Sequence, residues 1–146
     1  MPKFERTDEI DATVEKVWNV IIDPNHFPQW FPGIESVANI AKTDEGISFD
    51  FVRQGETGQG VITDIQPMRR LQVLTQLGKD KDSHVFELRP TGGFLGLSAD
   101  ECKVEYTLDT LIGGGILGNF IAGGNPEDAM KVKKTTKLLR KLVESL

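Results

Sequence analysis

Residues that carry out covalent or metal chemistry are scarce in this chain, which has one cysteine, Cys102, and two histidines, His26 and His84. A lone cysteine excludes an intrachain disulfide and fits a reducing compartment, so the expected location is cytoplasmic. The cysteine and histidines lack the spacing of a metal site, and neither a metal nor a cofactor is expected. Long apolar runs are missing too. The longest uncharged stretch, Leu111–Gly124, falls short of the roughly 20 residues that a spanning helix needs. The opening "MPKFERTDEI" has neither an apolar core nor a small-residue cleavage site, which argues against a signal peptide. Cations are outnumbered, with 17 Lys and Arg against 22 Asp and Glu, and the formal charge of −5 argues against a nucleic-acid partner. No repeat, low-complexity tail or linker interrupts the chain, so residues 1–146 are expected to form one domain. The pattern specifies no oligomeric state.

What is present suits a folded globular protein, with 38% hydrophobic and 27% charged residues. Charge is unevenly placed. From Pro126 onward, Lys131, Lys133, Lys134, Lys137, Arg140 and Lys141 face only Glu127, Asp128 and Glu144, a net +3, while the rest of the chain carries a net −8. Lys3–Ile10 alternates, with Phe4, Arg6, Asp8 and Ile10 on one face, and predicts a strand. Thr13 is placed to cap a short helix through about Ile22, which Asp23-Pro24 ends. "NHFPQWFPG" is too punctuated by proline for more than a turn or two of helix. Strands follow at Ile34–Ala41, Ile47–Arg53, Gly60–Gln66, Leu71–Leu77, Val85–Arg89 and Lys103–Thr110, spaced as in an antiparallel meander with one wet face.

The last segment has the clearest helical signals. Asn125 is a cap, Pro126 takes the first position, and Glu127 and Asp128 complement the positive end of the dipole. Met130, Leu138, Leu139, Leu142, Val143 and Leu146 form an apolar stripe. About 21 residues make a rod of roughly 31 Å, the length of a ten-residue strand, so one helix can cover the inner face of one curved sheet.

Upstream of that helix, "LIGGGILGNFIAGG" contains Gly113, Gly115 and Gly118 in dinucleotide-loop spacing. No second parallel strand follows to complete a nucleotide-binding unit, so the phosphate reading fails. Two glycine clusters around Ile116, Leu117, Phe120 and Ile121 read equally as a hinged flap or as a long connection tucked into the core. Transient membrane contact through the flap and its cationic neighbour is a further reading, set against lysines that are simply solvated.

Catalytic groupings are thin. Cys102 with His84 lacks a third orienting group, and an inert thiol is the plainer reading. Alternation puts His84 on the face of Phe86, either as a hydrogen-bonded residue at the sheet rim or as a polar anchor for a ligand. Arg53 shares the face of Phe49 and Phe51, where it meets an anionic group or snorkels to water.

"IDATVEKVWNVIIDPNHFPQWFPGIESV", the hairpin-like "VITDIQPMRRLQV" and the amphipathic final helix together resemble the START-like helix-grip superfamily (SRPBCC), near its polyketide cyclase/dehydrase and lipid-transport branch. The resemblance spans nearly the whole chain. It implies an α+β helix-grip fold: a strongly bent antiparallel sheet of about seven strands around a long C-terminal helix, with two short helices after the first strand. Members of the superfamily hold lipids, sterols, quinones, plant hormones or polyketides between sheet and helix, and the segment before the last helix commonly serves as a lid. The expected lining is Trp30, Phe49, Phe51, Thr63, Val73, Thr75, His84, Phe86, Val104, Tyr106, Phe120 and Met130, with plain core packing as the competing role for each. The expected function is binding or transport of a small hydrophobic ligand without catalysis. The alternative is a cyclase/dehydratase-like enzyme using His84 or Tyr106 for proton transfer.

Overall fold

A computed structural model describes residues 3–31, 33–91, 101–112 and 126–146. Strand β1 (Lys3–Ile10) leads into helix α1 (Val14–Ile21), a 3-10 turn (Pro24–His26) and the one-turn helix α2 (Phe27–Trp30). Six strands follow: β2 (Ser36–Thr43), β3 (Gly46–Arg53), β4 (Glu56–Gln66), β5 (Arg70–Leu77), β6 (Asp80–Thr91) and β7 (Glu101–Ile112). Helix α3 (Pro126–Ser145) comes last. The sheet order is β1-β7-β6-β5-β4-β3-β2, a meander that returns its first strand to the side of its last. Every neighbouring pair is antiparallel.

Local chemistry sets the boundaries. Thr13 Oγ1 accepts the Lys16 amide at 3.2 Å to start α1, and Asp23 Oδ1 accepts the Asn25 amide at 3.0 Å to start the 3-10 turn. Strands β4, β6 and β7 run to 11, 12 and 12 residues, longer than their apolar patterns predict. Some of the added residues, such as Glu56 and Asp80, hold the backbone ladder with exposed side chains, while Ser83, His84 and Cys102 are buried. Strand β2 begins later than predicted, because Ile34 is spent on the turn: its amide donates to Phe31 O at 3.2 Å.

The register aligns one inner face. Cys102 pairs with Ile10, Val104 with Leu88, Tyr106 with Phe86, His84 with Val73, Ile62 with Val73 and Ile47, and Gly60 with Thr75 and Phe49. The rings of Phe49 and Phe51 lie over Gly60 and Gly58. A Cβ on Gly60 would come within 2.3 Å of Phe49 Cζ, and one on Gly58 within 2.5 Å of Phe51 Cζ.

Helix α3 packs on β1, β7, α1 and α2. Its buried stripe is Val132, Thr135, Thr136, Leu139 and Val143, while Leu138 and Leu142 are half-buried. This corrects the predicted stripe at both ends, where Met130 is 72% and Leu146 60% exposed. Met130 lies two residues before Val132, about 200° around the helix, so burying one turns the other outward. Polar ties hold the last turns: the Asp11 amide donates to Glu144 Oε2 at 2.8 Å, Arg140 Nη1 lies 3.5 Å from Asp8 Oδ1, and the Lys16 ammonium donates to Leu146 O. Phe120, Asn125 and nearly all of the Leu111–Gly124 segment lie outside the described residues.

Two outcomes follow. Gly60→Ala is expected to destabilise the fold by about 1–3 kcal/mol in denaturant titrations. Phe49→Leu in the same chain should recover part of that loss, since the clash is with its ring. Burial pushes the Cys102 thiol up from 9.0 to about 11. It should therefore resist iodoacetamide at pH 8 in the native protein and react readily in denaturant. Between 9.0 and about 11 the native thiol keeps a proton that the unfolded chain loses, so raising pH through that window lowers this residue's share of stability.

Candidate functional site

The sequence "FPQWF" places Phe27, Trp30 and Phe31 at three- and four-residue spacing, and α2 turns all of them onto the sheet. Phe27 meets Trp30 edge-on at 5.6 Å and Phe49 at 5.3 Å. Trp30 meets Phe86 edge-on at 5.4 Å and tilts against Phe31 at 5.1 Å. Phe86 in turn stacks on Tyr106 at 4.5 Å with the planes 2° apart. Such edge and offset contacts suit the quadrupoles of the rings, and the result is one continuous aromatic layer between α2 and the sheet.

Set into that layer is a polar chain. His84 is fully buried; its Nδ1 lies 2.6 Å from the Tyr106 hydroxyl and its Nε2 lies 3.2 Å from Thr75 Oγ1. The register explains why they meet: His84 pairs with Val73 and Leu108, which makes Thr75 and Tyr106 its diagonal neighbours on the same face. Phe31 closes over the imidazole edge-on at 4.7 Å. A neutral imidazole donates from one nitrogen and accepts at the other, and both hydroxyls rotate to match. The chain is thus satisfied in either tautomer and links two hydroxyls through a group that can take up or release a proton.

The structure brings together Trp30, Phe49, Phe51, Val73, Thr75, His84, Phe86, Val104 and Tyr106 on the inner face, none more than 5% exposed. Trp30, Val73, His84, Phe86, Val104 and Tyr106 are at 0%. Thr63 does not join them. It pairs with Gln72 and alternates to the opposite face, while its neighbour Ile62 takes the inner position. Met130 faces away from the sheet for the helical reason given above. Phe27 and Phe31 belong to the layer although the expected lining named only Trp30; the signal was the spacing within "FPQWF".

Arg53 spans two roles. Its guanidinium carbon lies 5.9 Å from the Phe51 ring centroid, and its Nε donates to Gly33 O at 3.2 Å, which pins the turn after α2. Cys102 and His84 do not meet: Cys102 pairs with Pro90, and His84 with Leu108, about 20 Å further along the ladder. Among the described residues, no three His, Cys, Asp or Glu side chains gather as a metal site. An open depression of about 390 Å³ runs across β4, β5 and β6, and Gly60 and Thr75 are among the residues that line it. No described helix is long and apolar enough to cross a membrane.

Solved structures share this architecture. A START superfamily protein from Mycobacterium smegmatis superposes with a TM-score of 0.69 at 19% identity, covering 98% of this chain and 97% of its own. A protein from Thermus thermophilus gives 0.69 at 16% identity, covering 99% and 98%. A protein of the dynemicin biosynthetic locus gives 0.66 at 19% identity, covering 98% of this chain and 47% of its own. No curated protein matches in sequence. The family model described as polyketide cyclase / dehydrase and lipid transport matches residues 1–146. With the seven-stranded sheet, the two short helices after β1 and the long final helix all in place, the chain belongs to that family and has a START-like fold.

Proposed function

We propose that this protein binds one small hydrophobic molecule between the inner face of its sheet and α3, and holds it without chemical change. The observation that carries this reading is the Thr75–His84–Tyr106 chain inside an aromatic layer. Sites for small ligands are mostly apolar walls with a few placed polar groups, and this layer has that composition. A buried imidazole is costly unless hydrogen-bonded, and leucine would close the same face more simply. A polar chain there is explained if it orients the oxygenated end of a ligand. Family membership supports the same class of guest, since the family description includes lipid transport. The walls are Trp30, Phe49, Phe51, Val73, Phe86 and Val104, with Thr75, His84 and Tyr106 as the polar points.

A second reading rests on the 2.6 Å contact between His84 Nδ1 and the Tyr106 hydroxyl. A phenol bonded this closely to an imidazole is a proton donor with its base already in place, which suits a cyclase or dehydratase. The family description includes those activities as well.

Delipidated protein titrated with fatty acids, sterols, quinones and aromatic polyketides should show saturable uptake of at least one class; uptake of none would end the binding reading. Tyr106→Phe separates the two roles. In a carrier it lowers stability by about 1 kcal/mol and weakens oxygenated ligands severalfold. In an enzyme it abolishes turnover while affinity stays nearly intact.

A further inference from the structure

Trp30 ends α2 with 0% exposure, and its indole Nε1 has no hydrogen-bond partner. Indole nitrogen is a donor only, so no rotation or change of tautomer can satisfy it. Buried tryptophans usually pair this group, because an unmade bond forfeits the hydration it had in the unfolded chain. The same rings would pack around a phenylalanine with no such deficit. The unpaired donor also lies in the layer that contains the His84 chain. Phe31 touches both Trp30 at 5.1 Å and His84 at 4.7 Å, and Phe86 touches both Trp30 at 5.4 Å and Tyr106 at 4.5 Å.

Of these two linking rings, Phe31 is the one that can leave. Phe86 is held inside β6 by ladder bonds on both sides. Phe31 instead follows the last residue of α2 in an extended conformation, with φ −97° and ψ 102°. Two residues later Gly33 has φ +88°, a left-handed turn residue. The Phe31 amide donates to Phe27 O at 2.7 Å and its carbonyl accepts the Ile34 amide at 3.2 Å, and rotation about its Cα–Cβ bond carries the ring out of the layer without breaking either bond or any strand.

Resting on the binding reading above, we propose that Trp30 Nε1–H is the donor for an acceptor oxygen of a flat, ring-bearing ligand, and that the ligand's rings replace the ring of Phe31. The ligand class is then an aromatic or fused-ring ketone or quinone. Its carbonyl answers the indole at one end, and its far edge approaches the His84–Tyr106 pair. A hydrocarbon of the same shape fills the space but leaves Trp30 unpaired, so it binds more weakly.

The test uses 1-tetralone and tetralin, which share a carbon skeleton and differ by the carbonyl. The chain has two tryptophans, so a ¹⁵N–¹H correlation spectrum shows two indole signals, with the 6%-exposed Trp18 as an internal reference. Tetralone should move the Trp30 indole proton downfield and bind about fivefold to tenfold more tightly than tetralin. Trp30→Phe should erase that ratio, a comparison in which any cavity left by the smaller ring cancels. Phe31→Ala should tighten both probes and preserve the ratio. Equal binding of the two probes, or an unmoved Trp30 signal at saturation, overturns the donor role while leaving hydrophobic binding intact. Weaker binding of both by Phe31→Ala overturns the displacement of that ring. Binding of neither probe, by the wild type or by Phe31→Ala, overturns the ring-bearing ligand class, while the wider binding reading stands or falls by the titrations with fatty acids, sterols, quinones and polyketides. The wild-type spectrum decides the donor role even where Trp30→Phe does not fold.

Discussion

The contact of Phe49 with bare backbone sets the scale of the whole interior. Its ring presses on Gly60 on one side and meets Phe27 edge-on at 5.3 Å on the other. That fixes how closely α2 approaches the sheet. Because α2 comes this near, Trp30 and Phe31 reach Phe86 and His84, and the imidazole is sealed under a phenyl ring. A side chain at position 60 would lift the layer and open the chain of contacts that ends at Tyr106. The small residue and the large ones are therefore one device, divided between neighbouring strands by the register.

Family membership narrows the chemistry without choosing within it, since the description spans cyclases, dehydrases and lipid transport. What this chain adds is a particular set of polar points. Hydroxyl, imidazole and hydroxyl run in a line across β5, β6 and β7, and aromatic rings and valines surround them. The two proposed roles draw on the same geometry. Holding a ligand oxygen in place and passing a proton to it differ in what the ligand can do next, more than in where the protein puts its atoms.

The backbone was largely legible from the sequence, because its signals are local. Alternation set β1 at Lys3–Ile10, Thr13 capped α1, and proline at 126 opened α3. Strand ends were less legible, since ladder bonds at Glu56 or Asp80 need no apolar partner. The inner face was legible where period two held, as at Phe49, Phe51, His84, Phe86 and Tyr106. Thr63 was misplaced by a single step, and the true inner residue is its neighbour Ile62. On α3 the apolar residues suggested a stripe through Met130, yet the helix buries Thr135 and Thr136 instead. Which side of a helix faces a sheet depends on where the neighbouring elements stand, and composition alone did not say. The unpaired state of Trp30 Nε1 is a property of three dimensions and has no sequence signature.

That dry, unpaired indole has an optical consequence. An excited indole relaxes through the dipoles around it, and one shut away among phenyl rings has few to relax through, so its emission lies toward the blue. Any oxygen brought against it, or any opening that lets solvent in, shifts that colour in a way the eye of a fluorimeter can follow. The protein thus carries a native dye at the heart of its interior, and occupancy can be watched without a label.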